Sequence, residues 1–415
     1  MTEALSVRSD EGQDGSTSTC PADNYDLFGA EYRNDPAPTW EAARSSGCPV
    51  AHTGEWGGSY MLTRFDDIRD AARNPEQFSS RAIEVAGPLE SAGGLFLPPL
   101  TADPPHHKPQ RDVLMPYFMP ARTAEYEDFI RATARGLAEG IASRGHADAV
   151  GDYAEHLTLA VLSELLGVPP GGRFSEWMVR MIRVGGRDQA VRAEVVREII
   201  AYLDGILTER TEHPNGSTDL MSYLVDAEMD GQPLTRKHKL GSAFLVLIAG
   251  ADTTWSAIGS SIWHLATHDD DRRRMLDDPS LLDTAAEEFL RAYAPVTVGR
   301  MVNSDVELHG RSVSAGERVL LPFGSANRDP EVFEAPDEVR IDRKRNRHLT
   351  FGSGAHRCLG SNLARLELRI AIEEWLRVMP HFHLTDPDNI EWSGGQTRGP
   401  ERVDVQIDAV AEVSS

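Results

Sequence analysis

Between Leu240 and Ile262 almost every residue is apolar or small, and Asp252-Thr253-Thr254 stands inside that stretch. A segment so uniformly apolar is stable as a helix only when other elements hide it on all sides. Its longest unbroken apolar run, Ala243 to Ala251, is nine residues long and stops at Asp252, well short of the roughly 20 that span a bilayer. The spacing therefore predicts a central buried helix over Thr235 to Thr267 and no membrane span. A lone carboxylate inside it would be costly, so Asp252 has either a structural partner, such as a buried arginine, or a chemical task.

The rest of the chain supplies the cover. Ala121 to Ser143, Ala149 to Gly167, Arg173 to Val184, Ala190 to Glu212 and Thr218 to Glu228 repeat apolar residues at helical spacing, as do Asp283 to Ala292 and Asn362 to Val378. Phe65 to Arg73 adds a short helix stopped at Asn74-Pro75. Ser59 to Thr63 and the stretch Val296 to Pro322, cut by turns at His309-Gly310 and Ala315-Gly316, read as short strands. No repeat or linker divides the chain. The expected fold is a single, mainly α domain with a smaller β region (α+β). Residues 1–19 are rich in Ser, Asp, Glu and Gly and lack an export signal, so residues 1–23 are expected to be a disordered tail and 24–411 the domain. Ser79 to Asp103 is too long and too apolar for a plain connector, and such loops often line a ligand site.

Chemistry concentrates in the decapeptide Phe351-Gly-Ser-Gly-Ala-His-Arg-Cys-Leu-Gly360, just ahead of the helix expected from Asn362. Exposed amides at a helix start stabilise a thiolate, and Gly352, Gly354 and Gly360 allow close backbone approach. Cys358 thus reads as an iron ligand, and an axial thiolate in a heme protein favours O–O cleavage. The alternative is an inert buried cysteine in a strand-to-helix turn; only the full spacing of the loop argues against it. On the long helix, Gly250 is expected to weaken or bulge the backbone, with Thr253 bonding back one turn and Asp252 beside it. An adjacent acid and alcohol can relay protons to a bound oxygen species; an arginine-satisfied Asp and capping threonines fit the same residues.

Other groups gain meaning only in combination. Glu288 and Arg291 are three apart on one helix face, with Arg343 as a third member of a structural ion-paired set. His107 and Arg111 are four apart at a helix start, with Pro109 between them, as a first turn tolerates. Together with Arg300 and His356 they make four donors from three distant segments, suited to a dianion such as the two propionates of heme. Singly, each is as well read as an ordinary surface residue.

Taken in order, Asp-Pro-Pro-x-His107-x-x-x-Arg111, Ala249-Gly-x-Asp252-Thr253-Thr, Glu288-x-x-Arg291, His348-Leu-Thr-Phe-Gly and the cysteine decapeptide resemble the cytochrome P450 superfamily, in particular its soluble bacterial, ferredoxin-dependent members. The resemblance covers the chain after about Asn24. It implies heme b held between a long distal helix and a proximal cysteine-loop helix. Cys358 would be the proximal thiolate and metal ligand, Asp252 and Thr253 the proton-delivering pair, and His107, Arg111, Arg300 and His356 the propionate partners. Ala249, Phe351 and Gly360 would also meet the cofactor, and Glu288, Arg291 and Arg343 would form the structural triad. Val298 stands where some relatives carry a polar propionate partner. The implied reaction is insertion of one oxygen atom into a C–H or double bond, hydroxylating or epoxidising the substrate, with electrons from NAD(P)H through partner proteins. A hydrogen peroxide-dependent peroxygenase and a heme-thiolate sensor without turnover are the rivals.

Composition narrows the partners. Lys and Arg total 42 against 65 Asp and Glu, a formal charge of -23, which argues against nucleic acid. Arg340 to Arg347 nevertheless carries five cations, and with Lys108, Arg111, Arg357 and Arg365 it is expected to form a basic patch on the Cys358 side. A small acidic ferredoxin, or a flavodoxin, would dock there and take electrons from its own reductase. Three cysteines form no disulfide framework, which fits a cytoplasmic monomer. Leu95, Phe96, Leu97, Leu245, Ile248, Val296 and Val298 are the expected pocket residues, with Gln396 and Thr397 as a polar handle. They suit a small to medium hydrophobic substrate, terpenoid, aromatic, alkyl or fatty. Met178, Met181 and Ile182 read as helix packing first and lid contact second.

Overall fold

The computed structural model describes residues 20–87, 96–169, 171–185, 188–214 and 216–408. The long helix runs from Arg236 to Thr267 and most of it is buried. Thr235 caps its start, the hydroxyl oxygen accepting from His238 N at 3.2 Å, which satisfies one amide that the first turn leaves open. By length and composition alone this helix could cross a membrane, the one such helix among the described residues, but its apolar surface is spent inside the protein. Helix Glu155–Leu166 packs along one side and helix Ser361–Val378 along another. The bulge expected at Gly250 is absent, and the helix continues through it without a break. Glycine serves packing instead, since a Cβ there would come within 2.7 Å of Leu162 Cδ2.

The helices expected from periodicity are present, with three subdivided, among them Arg173 to Val184, which is helix Gly172–Val179 followed by a wider turn, Arg180–Val184. Ala121 to Ser143 breaks at Glu125-Tyr126 into Pro120–Ala124 and Glu127–Arg144. Ala149 to Gly167 opens with a wide turn, Ala149–Ala154, before Glu155–Leu166. Helix Glu127–Arg144 lies against helix Ser361–Val378, and Arg131 and Arg135 reach across to the buried Glu374 at 2.9 and 3.1 Å. Tyr153 adds a buried bond from its hydroxyl to Ala371 O at 2.7 Å.

Beside this helical body lies a five-stranded sheet in the order Val50–Thr53, Ser59–Leu62, Arg318–Pro322, Thr297–Val302, Phe78–Ser79. Only the pairing of Ser59–Leu62 with Arg318–Pro322 is parallel. Because strand side chains alternate faces, Val298 and Arg300 point the same way, opposite Leu321 and Val319 in register. Gly299 between them is required. Its amide donates to Ile83 O at 2.9 Å, and a Cβ there would stand 2.5 Å from Glu84 O, so the segment at residues 83–85 is laid directly along this strand. Val296 bridges to Thr397, and Thr297 N donates to Gln396 O at 3.0 Å, which pins the C-terminal turn to the same edge. Residues 20–23, assigned to the tail on composition, are in fact packed: Cys20 and Ala22 are buried, and Asp23 Oδ1 accepts from His52 N at 2.8 Å. The rest of the expected tail lies outside the described residues.

Candidate functional site

A cavity of about 760 Å³ lies between the long helix, helix Ser361–Val378 and the edge of the five-stranded sheet. Cys358 lines it from a loop whose shape is fixed on both sides. Gly352 and Gly354 take φ of 68° and 73°, the left-handed region that glycine enters freely. A Cβ on Gly354 would meet Ala72 O at 2.9 Å. Cys358 N donates to Phe351 O at 2.8 Å, and Arg73 Nε donates to Ser353 Oγ at 2.7 Å. Gly360, by contrast, has ordinary helical-side geometry and its nearest neighbour beyond a Cβ is Phe118 at 3.9 Å, so it leaves open space on the cavity side rather than a tight contact. The Cys358 sulfur is enclosed by protein yet keeps accessible surface, because that surface opens into the cavity. Burial pushes its thiol up, while the Gly360 amide and the charges of Arg111, Arg357 and Arg365 pull it back toward the thiolate.

The loop hangs on a buried polar frame. Glu288 and Arg291 form a two-pronged pair at 2.8 Å with no exposed surface. Arg343 adds contacts at 2.9 and 3.0 Å, and Arg340 N and Asn346 Nδ2 also donate to the carboxylate. Two members of this frame escape sequence reasoning. Asn327 accepts from Leu349 N at 2.7 Å and donates to Thr350 Oγ1 at 2.9 Å; a lone Asn after a strand carries no signal. Glu287 is shared by His348 at 3.0 Å and Arg365 at 2.5 Å and is held at about 2, those bonds outweighing its burial.

His107, Arg111, Arg300 and His356 converge on the cavity beside the cysteine loop, which itself supplies His356. The rings of His107 and His356 are 4.3 Å apart, and neither Nε2 has a hydrogen-bond partner. Burial drives Arg300 down to about 10, and burial with the charges of Arg300, His107 and Arg111 drives His356 to about 3. Among the described residues no carboxylate pairs with Arg111 or Arg300. Four donors crowded at one end of a cavity, without a counter-anion, make a site built for a dianion. With the Cys358 thiol lining the same cavity, the residues fit heme. Pro109 sits in the first turn of helix His107–Phe118 and leaves His107 buried at the cavity.

Ala249, Gly250, Asp252 and Thr253 of the long helix line the same cavity. Thr253 Oγ1 donates to Ala249 O at 2.9 Å, the back-bond expected of it. Ala249 keeps accessible surface in the middle of a buried helix, which marks where the cavity meets it.

The family model for cytochrome P450 matches residues 177–402, a span that holds the long helix, the Glu288 frame, Arg300 and the cysteine loop. The chain belongs to the cytochrome P450 family. A probable cytochrome P450 127A1 of Sinorhizobium fredii is 32% identical, the alignment covering 88% of each chain. Vitamin D(3) 25-hydroxylase of Pseudonocardia autotrophica is 33% identical over 88% of this chain and 92% of its own. The crystal structure of CYP101J2 superposes with a TM-score of 0.85 at 26% identity, covering 96% of this chain and 100% of that one. This P450 is a monooxygenase with heme iron as its cofactor, and its α+β fold is that of the family.

The substrate side of the P450 cavity follows expectation in part. Leu97, Leu245, Ile248, Val296, Val298 and Gln396 line it, as does Thr397. Phe96 does not. Its ring packs on His238 at 5.5 Å and under Lys237 Nζ at 5.1 Å, against the start of the long helix, where Gly241 leaves room for the Phe96 backbone, a Cβ there standing 2.4 Å from Phe96 O. Leu95 lies outside the described residues. Met178 is core, whereas Met181 reaches the cavity, and the Ile182 side chain is not among those described. Phe28, Ile83 and Val85 complete the wall; they arrive through tertiary pairing, with Gly299 as the one sequence clue. The basic run is smaller than its charge count. Arg340 turns to Glu338 and Arg343 to Glu288, Arg365 pairs with Glu287, Lys108 with Asp112, and Arg111 faces the cavity. Lys344, Arg345, Arg347 and Arg357 stay exposed.

Proposed function

We propose that this P450 hydroxylates or epoxidises a small to medium hydrophobic substrate, with electrons delivered from NAD(P)H by separate redox proteins. The observation that carries the reading is the cavity itself: an enclosed thiol, four donors without a counter-anion among the described residues, and an acid and alcohol from the long helix. Cys358 would hold the iron, and His107, Arg111, Arg300 and His356 would bind the two propionates, with Ala249, Phe351 and Gly360 against the macrocycle. Once bound, the heme supplies a redox-active iron that reduces dioxygen and transfers one oxygen atom. Asp252 and Thr253 then have the task of moving protons into a site that apolar walls keep dry. Thr253 Oγ1 gives up its bond to Ala249 O to donate toward the cavity, and the Asp252 carboxyl resupplies the proton.

Thr253 favours dioxygen over peroxide as oxidant, because a peroxygenase needs no such donor. With Thr253→Ala, NAD(P)H consumption is expected to hold within about twofold while product falls roughly tenfold or more and peroxide rises. Unchanged coupling would remove Thr253 from the relay. The substrate face is apolar, from Leu97, Leu245, Ile248, Val296 and Val298, with Gln396 at one side, and one relative is named for hydroxylating vitamin D(3). A terpenoid, aromatic, alkyl or fatty compound suits that lining. An acidic ferredoxin, or a flavodoxin, would dock on Lys344, Arg345, Arg347 and Arg357, and a cytoplasmic setting alongside its reductase suits that reading. The catalytic unit on this reading is the single domain from Asn24 onward, with residues 20–23 packed against it.

A further inference from the structure

Away from the cavity the fold brings the other two thiols together. Cys20 is buried and Cys48 half-buried; 28 positions apart in sequence, they meet where Cys20 Sγ lies 3.2 Å from Cys48 O. Arg311 Nη2 stands 3.5 Å from Cys48 Sγ, and the same nitrogen grips the Asp23 carboxylate at 2.7 and 2.9 Å. Asp23 also accepts from Cys20 N at 3.2 Å and His52 N at 2.8 Å. Cys48 is therefore the less buried of the two and its sulfur sits beside a guanidinium, while Cys20 is shielded. Attack by a cation-flanked sulfur followed by resolution from a neighbour is the pattern of a redox dithiol.

We propose that Cys20 and Cys48 close to a reversible disulfide when the protein meets hydrogen peroxide, fastening the segment that leads to Phe28 onto strand Val50–Thr53. Cys48 sulfur, as thiolate, attacks one peroxide oxygen. The O–O bond breaks, the departing hydroxide takes a proton and leaves as water, and Cys48 becomes a sulfenic acid. Cys20 sulfur then attacks Cys48 sulfur; the S–O bond breaks and the hydroxide takes the Cys20 proton, giving a second water. Two electrons pass from the two sulfurs to peroxide, and a small dithiol returns them. The place of the link gives it a consequence. Asn24 N already bonds to His52 O at 2.8 Å, Leu27 O accepts from Gly395 N at 3.2 Å, and Phe28 is part of the cavity wall. A bond at Cys20 holds this whole segment, and with it one side of the substrate space.

The test uses the heme-loaded full chain, treated with hydrogen peroxide, alkylated in denaturant and digested. The expected result is a peptide joining Cys20 to Cys48, about 2 Da below the sum of its parts for the two hydrogens lost, undone by dithiothreitol. The oxidised protein should also melt at a higher temperature than the reduced one, an increment absent from Cys20→Ser. Arg311→Lys should keep the rate of closure and Arg311→Gln slow it severalfold. Full alkylation of both cysteines after peroxide, or oxidation of Cys48 to the sulfinic acid with Cys20 still free, overturns the proposal on the wild-type protein alone. Closure without any rise in melting temperature would refute the fastening role.

Discussion

Glu367 faces the cavity from the helix behind Cys358 with no exposed surface to speak of, and its Oε1 has no hydrogen-bond partner. Burial raises it to about 8, the nearby Thr158 hydroxyl offsetting only part of the cost. The folded protein thus keeps a proton there that the unfolded chain loses near its ordinary value of 4.5. Between those two pH values the native state binds the extra proton, so stability falls as pH rises through the window and levels off above it. Glu367→Gln should abolish that decline and be the more stable protein at pH 9, by on the order of 5 kcal/mol. Urea midpoints from pH 5 to pH 9 would show it, and parallel pH profiles for the two proteins would contradict it. Nothing in the sequence marks this residue, because its position in Leu-Glu-Leu reads as the polar side of an amphipathic helix. Cys358 and Thr253, in contrast, are legible because their chemistry depends on near neighbours in the chain. Periodicity cannot say which helix faces meet a cavity.

At the level of elements the long helix, the cysteine helix and the strands after Val296 could be placed from spacing alone, since each hides one face by a local pattern. Their mutual approach could not. Gly250 illustrates this, as its role is to admit Leu162 from helix Glu155–Leu166 rather than to bulge the long helix. Phe96 illustrates it again, an apolar residue of a cavity-forming loop that packs outward. Gly299 is where element packing and cavity shape are joined most tightly. A methyl group there meets the backbone oxygen of Glu84, which has no free rotation to escape. Gly299→Ala should cost about 2 kcal/mol and push Ile83 and Val85 away from the cavity. A denaturant midpoint equal to wild type would show that the segment at residues 83–85 is not held by this contact.

The whole molecule carries a formal charge of -23, yet the surface around the cysteine loop keeps Lys344, Arg345, Arg347 and Arg357 exposed. Counting cations along the chain overstates this patch, because arginines beside carboxylates are engaged by them: Arg343 serves the buried Glu288 and Arg365 the half-buried Glu287. Exposed charges act on the rate of encounter more than on final affinity. Lys344→Glu with Arg345→Glu should slow reduction by an acidic iron–sulfur donor about tenfold at low ionic strength, the gap closing near 0.5 M salt as the charges are screened. Equal rates at low salt would move the docking face elsewhere. The monooxygenase chemistry depends on a thiolate at Cys358, and the most direct measurement is the absorbance of the reduced, carbon monoxide-bound protein. The strongly red-shifted Soret band of a thiolate-ligated heme is predicted for the native chain, and its loss with heme retained for Cys358→His. A native band at the position of an imidazole-ligated heme would contradict it.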